Sequence, residues 1–250
     1  TLNGEGDAAE ATQQRVIPDG TTEIVLNLAD PFRRFDDGHD GRLQPTNLFV
    51  GPMRRHIVIE PTGRIDLIGI RFHPHGAAAI LPVPLDELAD RIEDAGDVAP
   101  RQWRDLRERI GNANETSTRL RLIDSALRDG LQNRVDPRTT AAVTLIRESD
   151  GRTPIEIVAR DTGLSRRQLE RNFRSSVGLG PKLLARITRL QAALRRIHTM
   201  PDDGWAALAI SCGYADQPHF VRDFREFSGQ SPSAFFGEAQ RLAALFAGSP

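Results

Sequence analysis

Short apolar runs separated by proline and glycine dominate the first third of the chain. One run covers residues 23–28, and two more, at 56–60 and 64–72, flank the turn Pro61-Thr62-Gly63. Runs of this length bounded by turn residues predict β-strands, and the last two predict a hairpin. The arrangement indicates a small sandwich or barrel.

From Ala77 onward the pattern of apolar positions becomes helical. Helices are predicted at 76–81, 85–92, 101–110 and 115–128. In the last of these, Leu120, Ile123 and Leu127 have the spacing of a buried stripe. Packing inside the domain and an oligomer interface are both compatible with the two later helices.

Asp136-Pro137 is a helix start signal, and beyond it only helices separated by short turns are predicted. They cover 138–148, 154–160, 165–176, 182–198, 204–211, 216–227 and 232–246. Short helices in close succession are more typical of a nucleic-acid-binding bundle than of an enzyme core. The sequence therefore predicts an α+β protein, with a β-rich N-terminal domain over 1–134 and an all-α C-terminal domain over 135–250.

The first of two helix-turn-helix patterns centres on Gly163, which makes the turn. Ala159 allows the two helices to approach closely, and Leu164 fills the core behind the turn. Ser165 caps the second helix, where Gln168 completes a capping box. The side chains that this helix turns outward are Arg166, Arg167, Glu170, Arg171 and Arg174. A recognition helix needs this placement to enter the major groove.

A second unit of the same kind is predicted around Gly213. Tyr214 fills its core, and Asp216 caps a helix that buries Phe220 and Phe224. The outward side chains are Gln217, His219, Arg222 and Arg225. The helix at 182–198 joins the two units and is roughly 25 Å long at 1.5 Å per residue. It would hold the two recognition helices rigidly, and a separation near one turn of B-DNA, about 34 Å, would let both enter successive segments of the major groove.

The two units together closely resemble the AraC/XylS family of bacterial transcription regulators over about 138–240. The matching positions are Gly163-Leu164-Ser165, Leu169, Arg171, Phe173, Gly178, Pro181, Arg189, Ala192, Ala209, Gly213 to Gln217, His219-Phe220, Arg222, Phe224, Gly229 and Ser231-Pro232. The resemblance implies base contacts from Arg167, Glu170, Arg171, Gln217, His219 and Arg222. Pro218 departs from the pattern, which removes one candidate base contact, but proline is tolerated in a first turn.

The N-terminal part is similar to the cupin-like sensor domain of one AraC subgroup. The similarity lies in Val16-Ile17-Pro18-Asp19-Gly20, Val50-Gly51-Pro52, Pro61-Thr62-Gly63-Arg64 and Gly69-Ile70-Arg71-Phe72. It implies control by a small-molecule effector in this domain without identifying the effector.

Charge is distributed unevenly along a chain whose net charge is only -1. From residue 135 onward, 16 Arg or Lys face 12 Asp or Glu, whereas the first part has 17 against 22. Between Ser165 and Arg196, nine basic residues face one acidic residue, Glu170. Such a concentration indicates a phosphate-binding surface, with a solvated helix face as the alternative. The predicted phosphate contacts are Arg166, Arg174, Arg186, Arg189 and Arg225.

Two further features narrow the class of protein. No segment approaches the apolar length of a membrane helix, and the first 14 residues are polar and acidic rather than a signal peptide, so a cytoplasmic protein is expected. Cys212 is the sole cysteine, which excludes a disulfide within the chain and a cysteine-based zinc site. We expect Cys212 to be a buried small hydrophobe.

His73-Pro74-His75 is the one motif that favours an enzyme, because alternate residues of a strand could share a metal, as in cupin oxygenases. Pro74 is expected to end the strand, the next histidine is His198 in the other domain, and no later Glu and His supply the rest of such a site. We therefore expect no metal, no cofactor and no enzymatic activity, and keep two alternatives: a cupin-type metal enzyme fused to a DNA-binding module, and an architectural DNA-binding protein without an effector. The expected partner is double-stranded promoter DNA. RNA polymerase, an effector and a second copy of the chain are compatible partners.

Overall fold

The protein is described by a computed structural model that covers residues 13–35, 41–98, 103, 105–197 and 204–237. Within these ranges, strands occupy the N-terminal part and only helices and turns follow residue 94. This order confirms the predicted α+β class.

In the described part of the N-terminal domain there are eight strands. They are β1 (Gln14–Val16), β2 (Glu23–Asn27), β3 (Phe32–Phe35), β4 (Arg42–Leu43), β5 (Asn47–Val50), β6 (Ile57–Pro61), β7 (Leu67–Arg71) and β8 (Ile92–Asp94). All their pairings are antiparallel, in two four-stranded sheets of order β1-β6-β3-β4 and β7-β2-β5-β8. The second sheet supplies the core, because Ile24, Leu26 and Phe49 are fully buried against Trp103.

The predicted hairpin of residues 56–72 is wrong, because β6 and β7 belong to different sheets. β6 pairs with β1 and β3, whereas β7 pairs with β2. The turn between them is held by Asp30, whose carboxylate accepts a hydrogen bond from the Arg64 backbone N–H at 2.7 Å. The chain crosses between sheets at this point instead of folding back on itself.

The helical part of the N-terminal domain differs in detail from the prediction. Short 3-10 turns stand at Ala77–Ala79 and Leu85–Leu88, and the expected helix at 85–92 gives way to β8, which pairs with β5. The helices α1 (Ala95–Val98) and α2 (Leu106–Gly111) follow. Residues 101, 102 and 104 of the predicted helix at 101–110 lie outside the described residues.

The longest helix of this domain, α3 (Thr116–Asp129), stands close to its predicted position. Its buried stripe is shifted, because Leu120 is 61% exposed while Ala126 is buried. Leu122, Ile123 and Leu127 pack partly against the same core. Leu120 was therefore wrongly assigned to the buried face.

Helices make up the C-terminal domain. They are α4 (Pro137–Glu148), α5 (Ile155–Asp161), α6 (Arg166–Val177), α7 (Pro181–Ile197), α8 (Gly204–Ser211) and α9 (Gln217–Ser228). A helical stretch at 232–237 begins the last predicted helix, whose remainder lies outside the described residues. A single hydrophobic cluster runs through these helices and includes Phe173, Leu190 and Phe224. For the described residues, the helix prediction for this domain is confirmed apart from shifts of a residue or two at the ends, and residue 198 of the helix predicted at 182–198 lies outside them.

The two domains pack against each other around the connector at 131–136. Asn133 of the connector binds the N-terminal domain, since its Nδ2 donates a hydrogen bond to Leu81 O at 2.7 Å. On the other side, Gln191 Nε2 in α7 donates to Pro18 O at 2.7 Å. Ile17 also packs against the C-terminal hydrophobic cluster. The motif at 16–20 therefore lies at the contact between the domains.

Candidate DNA interface

The first helix-turn-helix unit consists of α5, a tight turn and α6. Gly163 takes the left-handed conformation that the turn requires, with φ 65°. Ser165 N–H donates to Gln168 Oε1 at 2.9 Å, and Gln168 N–H donates to Ser165 Oγ at 3.3 Å. This capping box satisfies two backbone donors that helix formation leaves unpaired. Local sequence therefore fixes where the recognition helix begins.

The two faces of α6 differ completely in polarity. Leu169, Phe173 and Val177 are buried in the hydrophobic cluster. The exposed side chains are Arg166, Arg167, Arg171 and Arg174, and Glu170 is half-buried. The outward placement predicted for the base-contact candidates of this unit is present.

The second unit repeats this construction with α8 and α9. Gly213 makes the turn with φ 81°, and Asp216 Oδ1 accepts a hydrogen bond from His219 N–H at 2.7 Å. Pro218 lies in the first turn of α9, where it is tolerated, as expected. Phe220, Phe224 and Phe227 form the buried face.

The polar face of α9 carries the candidates of the second unit. Gln217, Arg222 and Arg225 are exposed. His219 is half-buried and contacts the ring of Tyr214 edge-on, with the centroids 5.2 Å apart. Its ring is therefore positioned by the protein, whereas the other three side chains extend into solvent.

Arg186, predicted to contact phosphate, joins α7 to the second recognition helix. Its guanidinium donates to Asp223 Oδ1 at 2.8 Å and to Glu226 Oε2 at 2.5 Å, and it lies 4.9 Å from the Phe227 ring centroid. The bond with Glu226 raises the pKa of Arg186, and the same bond lowers the pKa of Glu226. With its side chain only 26% exposed, Arg186 is engaged within the domain.

Arg189, the other candidate on α7, is also engaged within the domain. Its Nη2 donates to Gly151 O at 2.7 Å, and its guanidinium lies 5.3 Å from the Tyr214 ring centroid. Burial raises the pKa of Tyr214, so this ring remains a neutral phenol. Three of the five predicted phosphate contacts, Arg166, Arg174 and Arg225, are exposed.

A groove of about 730 Å³ opens between the two units. Arg166 and Glu170 line it from α6, and His219 and Arg222 line it from α9. Lys182, the sole lysine of the chain, lies exposed on the same groove, at the start of α7. Lys182 is absent from the predicted phosphate contacts, although it is one of the nine basic residues between Ser165 and Arg196.

One N-terminal loop, residues 51–56, contacts the last turns of both recognition helices. Gly178 ends α6 in the left-handed conformation, and a Cβ there would lie 2.5 Å from Pro52 Cγ. Gly229 ends α9 in the same way and is packed against the His56 ring, and His56 N–H donates to Phe227 O at 2.9 Å. The N-terminal domain is therefore in contact with both units.

The His73-Pro74-His75 motif follows β7 in a loop. The two imidazole rings stack with centroids 6.3 Å apart, and His73 Nδ1 lies 2.8 Å from Arg147 Nη1. A guanidinium at this distance would repel a cation bound to His73. Across the described ranges, no group of three His, Cys, Asp or Glu side chains is arranged to hold a metal ion.

Cys212 is buried, as expected, and Arg196 Nη1 lies 3.7 Å from its sulfur.

Within the part of the chain that the structure describes, no helix is both long and apolar enough to cross a membrane.

Family comparisons agree with this geometry. Residues 158–238 match a family described as a helix-turn-helix domain, and residues 1–94 match one described as a domain of unknown function. ToxT of Vibrio cholerae shares the fold, with a TM-score of 0.50 over 90% of this chain and 97% of ToxT at 9% identity.

Two curated transcription regulators are similar to this chain in sequence. The HTH-type transcriptional regulator ArgR of Pseudomonas aeruginosa is 26% identical over 166 residues, which are 66% of this chain and 43% of ArgR. The HTH-type transcriptional activator RhaS of Escherichia fergusonii is 38% identical over 77 residues, which are 31% of this chain and 27% of RhaS. The chain thus spans less than half the length of these relatives. The C-terminal part of the chain therefore has a helix-turn-helix domain and is similar in sequence to these two transcription regulators.

Proposed function

We propose that this chain regulates transcription by binding promoter DNA in a sequence-specific manner through both helix-turn-helix units. The observation that carries the proposal is the shared groove, onto which α6 and α9 from two separate units both open. Exposed arginines at both helices supply the positive charge that a phosphate backbone attracts. The relatives ArgR and RhaS are regulators of this class.

The proposal divides the work between two domains, with sensing in residues 1–134 and DNA binding in residues 135–250. The contact of loop 51–56 with both recognition helices supports control of DNA binding by the N-terminal domain. Regulation rather than catalysis is the proposed activity, because the relatives are regulators and the His73 ring is paired with Arg147.

The proposed contacts follow from exposure and position. Sequence preference would come from Arg167, Glu170, Arg171, Gln217, His219 and Arg222, and backbone affinity from Arg166, Arg174 and Arg225. Lys182 is a further proposed phosphate contact, since it lies on the same groove. Arg186 and Arg189 are not among the proposed contacts, because their guanidinium groups bond within the domain.

Selection of bound sequences from a random duplex library, with the purified chain at fixed salt, tests the proposal. We expect an enriched site with two half-elements about one turn of DNA apart, since two recognition helices on one groove enter successive segments of the major groove. Salt-sensitive binding without any enriched sequence would contradict recognition by two units.

Replacing Arg171 by alanine is expected to relax base preference at one position of the selected site. A bidentate contact between arginine and guanine contributes about 1–3 kcal/mol of discrimination against the wrong base. Competition binding with matched and scrambled duplexes measures this difference. Equal losses on both duplexes would remove the base-reading role from Arg171.

Arg174→Ala is the matched comparison on the same helix. It should weaken matched and scrambled duplexes alike and reduce the slope of log K against log salt by about 0.9, the loss of one phosphate contact. Arg121→Ala, an exposed arginine on α3, should leave both the preference and the slope unchanged.

A further inference from the structure

A cavity of about 460 Å³ lies between the two domains, away from the groove that faces DNA. The N-terminal domain contributes His73 and His75 to it, from the loop after β7. The C-terminal domain contributes Thr144 and Arg147 from α4 and Thr188 and Arg195 from α7. Its volume falls in the range of small-molecule sites, which often form at domain interfaces. None of the residues proposed to contact DNA lines this cavity.

Hydrogen-bond donors with positive charge dominate the cavity wall. Arg147 and Arg195 line it together with the carboxylate of Glu148. Arginine can only donate, so His73 Nδ1 accepts from Arg147 and the ring proton of His73 lies on Nε2, as a further donor. Arg195 uses Nη2 to bind Asp150 at 2.9 Å, and its side chain is 62% exposed.

Several polar groups of the cavity have no partner among the described residues. The hydroxyls of Thr144 and Thr188 make no hydrogen bond there. His75 Nδ1 is buried without a hydrogen bond, although buried polar atoms are nearly always paired. Burial, with His73 and Arg147 beside it, lowers the pKa of His75, so its ring is neutral. The wall therefore combines Arg147, which has no carboxylate partner among the described residues, with neutral polar groups that make no hydrogen bond there.

We propose that this cavity binds a small organic anion, a carboxylate or a phosphate ester, between Arg147 and Arg195. The Arg147 guanidinium has no carboxylate partner among the described residues, since it bonds to His73, and it therefore favours an anion over a cation; the planar fork of arginine matches both anionic groups. The hydroxyls of Thr144 and Thr188 supply uncharged donors for the remaining oxygens. Val143 provides an apolar wall for the carbon part of the ligand.

The position of the cavity gives the ligand a regulatory role, which rests on the proposed function. An anion held by both domains adds contacts between His73 and α4 or α7, so it favours the docked arrangement of the domains. A ligand shifts an equilibrium by its difference in affinity for two states. The docked state is also the one in which loop 51–56 contacts both recognition helices.

Calorimetric titration of the full chain with inorganic phosphate and, separately, with succinate tests the site without DNA. We expect binding of at least one probe at one site per chain, and at least about tenfold weaker binding by Arg147→Gln and by Arg195→Gln. Phosphate alone would identify a phosphate ester, and succinate alone a carboxylate. Arg121→Gln is the matched control and should bind as the parent chain does.

Thr188→Val keeps the proposal testable if an arginine variant fails to fold. It removes one hydroxyl without changing charge or shape, and we expect weaker binding with an unchanged unfolding temperature. Absence of binding by both probes at millimolar concentration would overturn the proposal, and so would undiminished binding by Arg147→Gln. Because the readout involves no DNA, failure of the duplex selection would leave the anion site standing, and failure of the titration would leave DNA binding standing.

Discussion

Arg186→Ala is expected to lower the free energy of unfolding by about 3 kcal/mol, because it leaves a buried carboxylate without its counterion. The side chain of Asp223 is only 5% exposed, and its Oδ1 accepts from Arg186. Asp223 Oδ2 has no hydrogen-bond partner in the described structure. The negative charge of Asp223 is therefore compensated by Arg186. The loss also removes the cation–π contact with Phe227. Chemical unfolding followed by tryptophan fluorescence measures the change, since Trp205 packs against Phe220 in the second unit.

Two further variants separate the ion pair from general damage to the helix. Arg222→Ala, on the exposed face of α9, should change stability by less than about 0.5 kcal/mol. Combining Arg186→Met with Asp223→Leu should recover most of the loss, because apolar residues of similar volume often replace a buried ion pair without cost. A loss for Arg186→Ala no larger than that for Arg222→Ala would contradict the joining role of Arg186.

Gly151→Ala should destabilise the protein by about 3–4 kcal/mol, the sum of left-handed strain and overpacking. Gly151 has φ 71°, and a Cβ at this position would overlap Ala185 O and lie 2.9 Å from Ala185 C. Both atoms belong to the backbone of α7, so the helix itself has to move. The shift would also disturb the bond from Arg189 to Gly151 O.

The turn glycine of the first unit is the matched control. Gly163 has φ 65°, but nothing lies within 4 Å of a Cβ placed there. Gly163→Ala should therefore cost only the left-handed strain, about 1–2 kcal/mol. The midpoints of chemical unfolding of the two variants give the comparison. Equal midpoints would show that the approach of Gly151 to α7 contributes nothing to stability.

The C-terminal domain could be predicted because its information is local. Ser165 with Gln168, and Asp216 before its helix, fix the starts of α6 and α9 by hydrogen bonds within a few residues. The outward position of Arg171 and Arg222 then follows from helical periodicity. The partners of Arg186 could not be predicted, since Asp223 lies 37 residues away and meets it only in the folded domain. Along the sequence, an arginine that binds phosphate and one that binds a carboxylate of the same domain look alike.

The N-terminal domain was harder because sheet membership is not local. An apolar run predicts a strand but not its partner, and β6 and β7 join different sheets although a short turn separates them. The turn is also held by Asp30, from another part of the chain, and the sequence of the turn itself does not indicate that contact. The exposure of Leu120 was missed for a similar reason, since the face of α3 that is covered depends on where α2 and the sheet stand.

The contact of loop 51–56 with the ends of both recognition helices has a consequence for DNA geometry. Each base pair turns B-DNA by about 34°, given 10–10.5 base pairs per turn. Two units joined only by α7 could follow a change of spacing by bending at one joint. Two units that also contact Pro52 and His56 of one loop are held in a fixed orientation relative to each other. Such a pair would fit half-elements at only one rotational offset around the DNA axis. If both units bind DNA as proposed, this loop would make the number of base pairs between the half-elements part of what the protein recognises, without itself touching DNA.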